Sequence, residues 1–354
     1  MTLDFDEYKI QDEPGKREKS EIWSAAIGLQ QVDGLKTSEY LIKTAIANIE
    51  GDITFDEVKN RLNAYYKENP SRTAEDEKTE EADKVSARIA EILSEKTFHF
   101  SPAEYIEIHR RLFEGIYKFA GKVRDYNITK EEWVLGGETV LYSSANTIMA
   151  ALKHDFDNEK SFNYRALSKQ QIMERISKFT SDIWQIHPFG EGNTRTTAVF
   201  IIKYLRKLGF NVDNEQFAKH SWYFRNALVR ANYTDFNKEV ASTSKFLHLF
   251  LGNLLLGEKN ELKNRHIHIE WEQESGTVKR ENGTVNSKNG TVNQKDDKVF
   301  DVIKRDGSLK AEEIAKELGI GLRTVKRHIK KLKESGEIER TGSDKVGYWK
   351  VRSI

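Results

Sequence analysis

From Ile186 to Thr196 the chain reads Ile-His-Pro-Phe-Gly-Glu-Gly-Asn-Thr-Arg-Thr, placing a base, a carboxylate, an amide and a guanidinium within one short stretch. His187 can take a proton from a hydroxyl near neutral pH. Arg195 presents the fork that matches phosphate oxygens. Glu191 beside a phosphate makes sense through a divalent cation, since two like charges would otherwise repel. Gly190 and Gly192 permit a tight turn with exposed backbone amides, and Asn193 follows them. The chemistry these types suggest is transfer of a phosphorylated group from a nucleotide to a hydroxyl. The competing reading is a core histidine beside an ordinary turn.

Two helices must hold that stretch. Ile172, Ile176, Phe179, Ile183 and Ile186 recur at helical spacing before it, and Val199, Ile202, Leu205 and Leu208 after it. Pro188 stops or kinks the first helix. The second begins near Asn193 or Thr194, aiming free amides and a positive helix end at whatever lies over the turn.

The run His187, Phe189, Glu191, Gly192, Asn193, Arg195 resembles the signature of the Fic family, His-x-Phe-x-Asp/Glu-Gly-Asn-x-Arg. Members mostly transfer the AMP moiety of ATP to a Tyr, Thr or Ser hydroxyl of a target protein. The resemblance implies that His187 deprotonates the target, that Glu191 holds Mg2+ on the phosphates, and that Asn193 and Arg195 complete the catalytic set. It places the nucleotide against Phe189, Gly190, Glu191, Gly192, Asn193, Thr194 and Arg195. It also lays the aromatic-rich helix Phe217 to Tyr233 beside the base, making Tyr223 and Asn226 candidates for adenine contact, although aromatics at that density also read as core packing.

Composition bounds the rest. The chain has 354 residues, a net charge of +1 and no cysteine. That length allows one large domain and one or two small ones, the charge gives no global nucleic-acid signal, and disulfides and thiolate chemistry are excluded. No apolar run reaches membrane-spanning length and no signal-peptide core is present, so a cytoplasmic location and no membrane partner are expected.

In chain order, residues 1–20 read as a polar arm and Ser20 to Gln31 as a short helix. After the Asp33-Gly34 turn, Thr37 or Ser38 caps a helix reaching Glu50, Gly51 ends it, and Thr54 caps the next. This helix, Glu50-Gly51, helix unit resembles the antitoxin-like module found beside Fic domains, whose glutamate enters the ATP site. The resemblance makes Glu50 a candidate inhibitory residue. Two departures stand against it: Ile46 occupies the position of the usual Ser or Thr, and Ala198 that of a second arginine. Glu50 is left to pair with Arg195, or to be a plain helix-end residue. Residues 69–85 read as an acidic linker or an exposed helix start. Helices are expected from Ala82 to Ser94 and from Pro102 to Phe113. Gly136-Gly137 suits a hairpin over Tyr126 to Tyr142, the candidate for the Fic flap that aligns a target segment, with an ordinary surface hairpin as the alternative.

Beyond Gly257, His266-Ile267-His268-Ile269 looks strand-like and is not read as a metal site. Gly-Thr-Val recurs from Gly276, Gly283 and Gly290 in a polar tether. From residue 297, three helices and a hairpin resemble a winged helix-turn-helix. Arg323, Lys326, Arg327 and Lys330 lie on the polar side of its third helix, with Lys345 in the wing, and could meet phosphates and a major groove. A solvated basic helix or a protein contact remains the alternative.

The expected architecture is an all-α Fic core over 86–257 with a short β-hairpin flap, preceded by a helical regulatory module in 1–68 and the 69–85 linker. A polar linker, 258–296, leads to a small α+β winged helix, 297–354. The expected function is a self-restrained protein adenylyltransferase using ATP and Mg2+. Other readings are another nucleotide donor, removal of AMP, or a nucleotide-sensing DNA-binding regulator. The partners implied are a hydroxyl-bearing target protein, the chain itself, DNA, and a second copy in a homodimer.

Overall fold

The computed structural model describes residues 5, 7–8, 13–69, 73–212, 214–271, 294–306, 309–318, 322–334, 338–341 and 348–351. They divide into two units, 1–281 and 282–354.

The first unit is helical. Helix α1 (Pro14–Gly28) opens on its proline, whose missing N–H costs nothing at that position, and runs into a 3-10 turn, Leu29–Asp33, closed by Gly34 at φ 69°. The polar arm expected over residues 1–20 is therefore corrected from Pro14 onward; Phe5 and Tyr8 are themselves buried in the core. Helix α2 (Glu39–Glu50) is capped by the Ser38 hydroxyl, which accepts from Leu41 N–H, and ends at Gly51 with φ 89°. Thr54 caps α3 (Phe55–Glu68) in the same way.

The acidic stretch read as a linker is mostly helix. α4 (Ala74–Ser94) starts in a Thr73/Asp76 capping box, and Glu75, Asp76 and Glu77 suit its positive end. Its inner side buries Ala82, Val85 and Ile89, together with Asp83. The Asp83 carboxylate accepts from the Ser38 N–H at 2.8 Å, the Ser38 hydroxyl and the Tyr66 hydroxyl, so one buried acid ties α2 and α3 to α4. The helices before residue 86 thus share a core with those after it.

Next come α5 (Pro102–Phe113), α6 (Ile148–Lys160), α7 (Lys169–Ile186), α8 (Asn193–Lys207), α9 (Asn214–Ala231) and α10 (Lys245–Leu256). Helix α8 is the hub: every residue from Asn193 to Leu205 is buried. Side chains such as Phe200, Ile201 and Ile202 each contribute roughly 1.5–3 kcal/mol by burial. Where α1 meets α9, a Cβ on Gly28 would stand 2.4 Å from the Ala218 carbonyl oxygen, so only glycine allows the approach.

Two expectations of strand are corrected. Over Tyr126 to Tyr142 the chain reverses at Gly136-Gly137, with Glu132 N–H donating to Glu138 O at 2.9 Å, but forms no ladder; Trp133–Leu135 is a 3-10 turn. The stretch around His266 contains a short helix, α11 (Asn264–Ile267), and Ile267 and Ile269 are buried in the core.

The second unit contains α12 (Gln294–Arg305), α13 (Ala311–Leu318), α14 (Leu322–Glu334) and an antiparallel pair, β1 (Ile338–Thr341) and β2 (Tyr348–Val351), with Ile338 opposite Val351. Val302, Ile314, Val325, Ile329 and Leu332 form its own small core. This is the three-helix and hairpin order expected of a winged helix. The Gly-Thr-Val repeats and Lys345 lie outside the described residues. No helix among the described residues is long and apolar enough to cross a membrane.

Candidate active site

The bend between α7 and α8 carries the signature residues. His187 terminates α7 in the left-handed region, at φ 51° and ψ 59°, a conformation that costs a non-glycine residue roughly 1 kcal/mol. Its Nδ1 lies 3.2 Å from the Trp184 carbonyl, which assigns the proton to Nδ1 and leaves Nε2 as the basic nitrogen. Burial drives its pKa well below 6.5, and the Lys130 charge adds to that against the Trp184 carbonyl. The imidazole is thus neutral, as a base must be. It is only 3% exposed, with the Tyr142 ring 4.2 Å away and the Trp184 ring edge-on.

Helix α8 starts behind Gly192, which takes φ 79°, and a Cβ there would meet the Phe113 ring at 2.4 Å. No side chain caps this end, so its first-turn amides suit an anion. Asn193 uses its side chain on one peptide group, accepting from Phe189 N–H at 3.0 Å and donating to Phe189 O at 2.8 Å. Those two bonds shape the turn. Phe189 is fully buried, stacked on His109 at 3.6 Å, and Thr194 accepts from Trp184 Nε1. Both were expected against the nucleotide, and both are held here by packing. Gly190 is crowded by the Tyr126 hydroxyl and the Phe119 ring.

Arg195, fully buried, lines a cavity of about 650 Å³ together with Glu191, Lys130, Asp33, Glu81, Tyr117, Trp133, Trp222 and Arg225. Its guanidinium is already matched. Nε lies 2.8 Å from Asp33 Oδ2, Nη2 is 2.7 Å from Glu81 Oε1, and Nη1 donates to Gln30 at 3.0 Å. The Asp33 contact is charge pairing without hydrogen-bond alignment, since Nε has no acceptor in line. Tyr117 and the Phe113 ring complete the surround. Burial alone would lower the arginine's pKa, but Asp33, Tyr117 and Glu81 raise it further.

The carboxylate expected at Arg195 was Glu50. The structure puts Glu50 elsewhere, 2.8 Å from Lys16 and hydrogen-bonded to Tyr8, the helix-end placement that was its alternative. The local pattern does not distinguish the two positions. Both Glu50-Gly51 and Asp33-Gly34 end a helical segment with a left-handed glycine, and only the packing of α1 against α9 selects the second. Glu81 was inside the stretch read as linker.

Glu191 faces the cavity with both oxygens 2.9 Å from Lys130 Nζ. Burial would raise its pKa, but Lys130 and the Gly192 N–H outweigh that, so it stays ionised. Among the described residues there is no group of three or more metal-ligating side chains. A divalent ion would have to be shared between this one carboxylate and a nucleotide's phosphates, the usual manner for Mg2+.

Tyr223 and Asn226 do not reach this cavity. Tyr223 lines a separate pocket with Lys245 and Trp271, and Asn226 is buried, donating to Asn264. The cavity face of α9 carries Trp222 and Arg225, each one position earlier, with the guanidinium 5.3 Å over the indole. One helical step turns a side chain by about 100°, which is why neighbours in sequence on α9 face different pockets. Arg225 also grips the buried Glu132 through both nitrogens, at 2.6 and 3.0 Å.

In the second unit Lys326 and Lys330 are exposed on α14, with Lys326 3.6 Å from Glu312. The side chains of Arg323 and Arg327 lie outside the described set.

Comparison with known proteins gives these residues a setting. Residues 99–205 match the Fic/DOC family and residues 298–348 match the HTH domain family. The chain is 26% identical over 183 residues to protein adenylyltransferase VbhT of Bartonella schoenbuchensis, covering 48% of this chain and 37% of VbhT. It is 31% identical over 130 residues to the probable protein adenylyltransferase y4lH of Sinorhizobium fredii, covering 36% of this chain and 64% of that one. The chain therefore spans less than two thirds of either relative. A crystal structure of a Fic family protein from Desulfovibrio desulfuricans superposes with a TM-score of 0.44 at 13% identity, covering 99% of this chain and 91% of that one, too loosely to bear on the site.

Proposed function

We propose, from the Fic/DOC and HTH domain matches, that the chain is a protein adenylyltransferase that moves AMP from ATP to a Tyr, Thr or Ser hydroxyl, and that it is held in a restrained state by its own carboxylates. His187 Nε2 takes the hydroxyl proton, the freed oxygen attacks the α-phosphorus, and the bond to the β-phosphate breaks, releasing pyrophosphate. Arg195 and the first-turn amides of α8 bind phosphate oxygens and stabilise the charge that develops on them. Mg2+ bound with Glu191 supplies further charge neutralisation. Trp222 and Trp133 offer flat apolar surface at the cavity for the base.

The observation that carries this reading is the pattern of stand-ins. Arg195, the phosphate ligand, holds Asp33 and Glu81, and Glu191, the cation ligand, holds Lys130. Each site group is occupied by a side chain of the charge its proposed ligand would bring. Tyr142 over His187 fits the same resting state. Self-modification and modification of a second copy use the same chemistry, so they differ only in which hydroxyl reaches the site.

Intact mass after incubation with ATP and Mg2+ plus a panel of candidate protein acceptors tests it, comparing wild type with Asp33→Ala. Addition of one AMP mass, greater in the variant, is expected. Parallel incubations with UTP and GTP read the donor. No nucleotide addition from any donor in the folded variant would remove the transferase reading.

A second reading rests on the HTH match and the two exposed lysines of α14: the C-terminal unit binds DNA. It is compatible with the first. Absence of salt-dependent DNA binding by the full chain would end it.

A further inference from the structure

Arg124 is an unusual buried cation. Only 5% exposed, it spends its guanidinium on backbone carbonyls: Nε donates to His187 O at 2.8 Å, Nη1 to Tyr126 O at 2.6 Å, and Nη2 to Ser143 O at 2.5 Å and more weakly to Ile186 O at 3.4 Å. Its own N–H donates to Pro188 O at 2.9 Å. None of the ion pairs among the described residues includes it. A buried charge with only neutral acceptors is expensive, and burial lowers its pKa. A purely structural clamp could have used a neutral donor. The guanidinium offers what no neutral side chain does, five N–H donors in one rigid fork.

The acceptors fall into two groups. Ile186, His187 and Pro188 are the last carbonyls of α7 and the start of the bend, where cations and donors satisfy orphan helix-end oxygens. Tyr126 and Ser143 are the two roots of the 126–142 loop that covers the site. Asn127 reinforces the same junction, accepting from Ala145 N–H at 2.9 Å. The loop in turn carries Lys130 to Glu191 and Tyr142 to the His187 ring. One side chain therefore fixes the peptide of the strained histidine and both ends of the loop above it.

We infer that Arg124 is a positioning residue for the reaction: by gripping the carbonyls of His187, Tyr126 and Ser143 at once, it holds His187 in its left-handed conformation and sets the loop at the distance a target hydroxyl requires. It touches no substrate and acts through His187 and the loop. This rests on the transferase reading for its kinetic part, whereas its effect on the His187 ring does not.

The test uses the full chain with Arg124→Gln and Arg124→Lys, made both in the wild type and beside Asp33→Ala. Three quantities are read: affinity for a non-hydrolysable ATP analogue with Mg2+, the transfer rate constant, and the nitrogen NMR signature of the His187 imidazole. The ring is faced by the cations Arg124, Lys130 and Arg225, the Tyr142 phenol and the Trp184 carbonyl, and in the intact site a single Nδ1–H tautomer is the expected signature. With Arg124→Gln, we expect analogue affinity within threefold of the parent, kcat lower by at least fiftyfold, and exchange between both His187 tautomers. Arg124→Lys, which can reach one or two of the carbonyls but not all, should recover at least a third of the logarithmic loss in kcat. An unchanged His187 signature with kcat within threefold in the Gln variant overturns the inference. So does a parallel collapse of affinity, kcat and melting temperature in both variants, which would mark a merely structural residue. If the Asp33→Ala parent transfers no nucleotide, the transferase reading fails, and the NMR arm still decides whether Arg124 holds the histidine.

Discussion

Replacing Asp33 by Ala removes one of the two carboxylates on Arg195, the residue proposed to bind a nucleotide's phosphate. Asp33 Oδ2 lies 2.8 Å from Arg195 Nε, with the Asp33 side chain 23% exposed and the arginine fully buried. Unit charges about 4 Å apart at an effective dielectric near 20 attract by about 4 kcal/mol. Partial exposure of the acid and the loss of alignment on Nε reduce that, to roughly 1–3 kcal/mol of competition with phosphate. Removal should then tighten a non-hydrolysable ATP analogue by about 5- to 150-fold. Glu81→Gln should act in the same direction. The double variant should give less than the sum, because both acids share one guanidinium and stripping both leaves a buried charge unpaired. For the same reason the nucleotide-free Asp33→Ala protein should melt at a lower temperature and regain stability when the analogue binds. Calorimetric titration with Mg2+ present reads the affinity, and thermal unfolding reads the rest. Unchanged affinity in folded Asp33→Ala and Glu81→Gln proteins would refute the competition. Glu50→Gly, by contrast, should leave the affinity as it is, since Glu50 pairs with Lys16 and Tyr8 away from the cavity.

Further outcomes are expected. His187→Ala should keep analogue binding within threefold while lowering transfer at least a hundredfold; transfer at the parental rate would show that the base lies elsewhere. His109 is buried, with Nδ1 accepting from Gly121 N–H and Nε2 bonded to Glu191 O, and burial lowers its pKa to about 4. Its folded value lies below its unfolded one, so the stability it contributes is full above about pH 6.5 and is lost as pH falls toward 4, by about 3 kcal/mol. Urea unfolding at several pH values should show that component in wild type and not in His109→Gln; identical pH slopes would contradict it. Gly28→Ala puts a methyl 2.4 Å from a backbone oxygen that cannot swing aside, and should cost about 1–3 kcal/mol by urea unfolding. If α14 contacts DNA phosphates, each of Lys326→Ala and Lys330→Ala should lower the logarithmic salt slope of full-chain binding by about 0.9.

Local chemistry made much of this legible. Ser38, Thr54 and Ser101 stand at helix starts because a short hydroxyl side chain satisfies orphan amides, and Gly51 stands at a helix end because it alone takes φ near 90° without strain. These are interactions within a few residues, and reading them requires no knowledge of the fold. The acidic run before Ala82 misled for the complementary reason. Its charges suit a solvated linker and the first turns of a helix equally, and burial of Asp83 under Ser38 and Tyr66 depends on two other helices. Lys130 and Arg124 carried no signal at all, since nothing nearby in the sequence indicates which distant carboxylate or carbonyl they meet.

The amino-acid sequence by itself determined the bend: a proline and two glycines between two apolar-striped helices, with a histidine before and an arginine after. Each of those constraints is a short-range steric or capping effect. The tertiary structure alone decided what the bend faces. Arg195 meets Glu81, 114 residues away, and Asp33 rather than Glu50. Helix α9 turns Trp222 and Arg225, not Tyr223 and Asn226, to the cavity. Charge pairing and helix rotation follow from how whole helices pack, a balance summed over many buried contacts that no local spacing encodes.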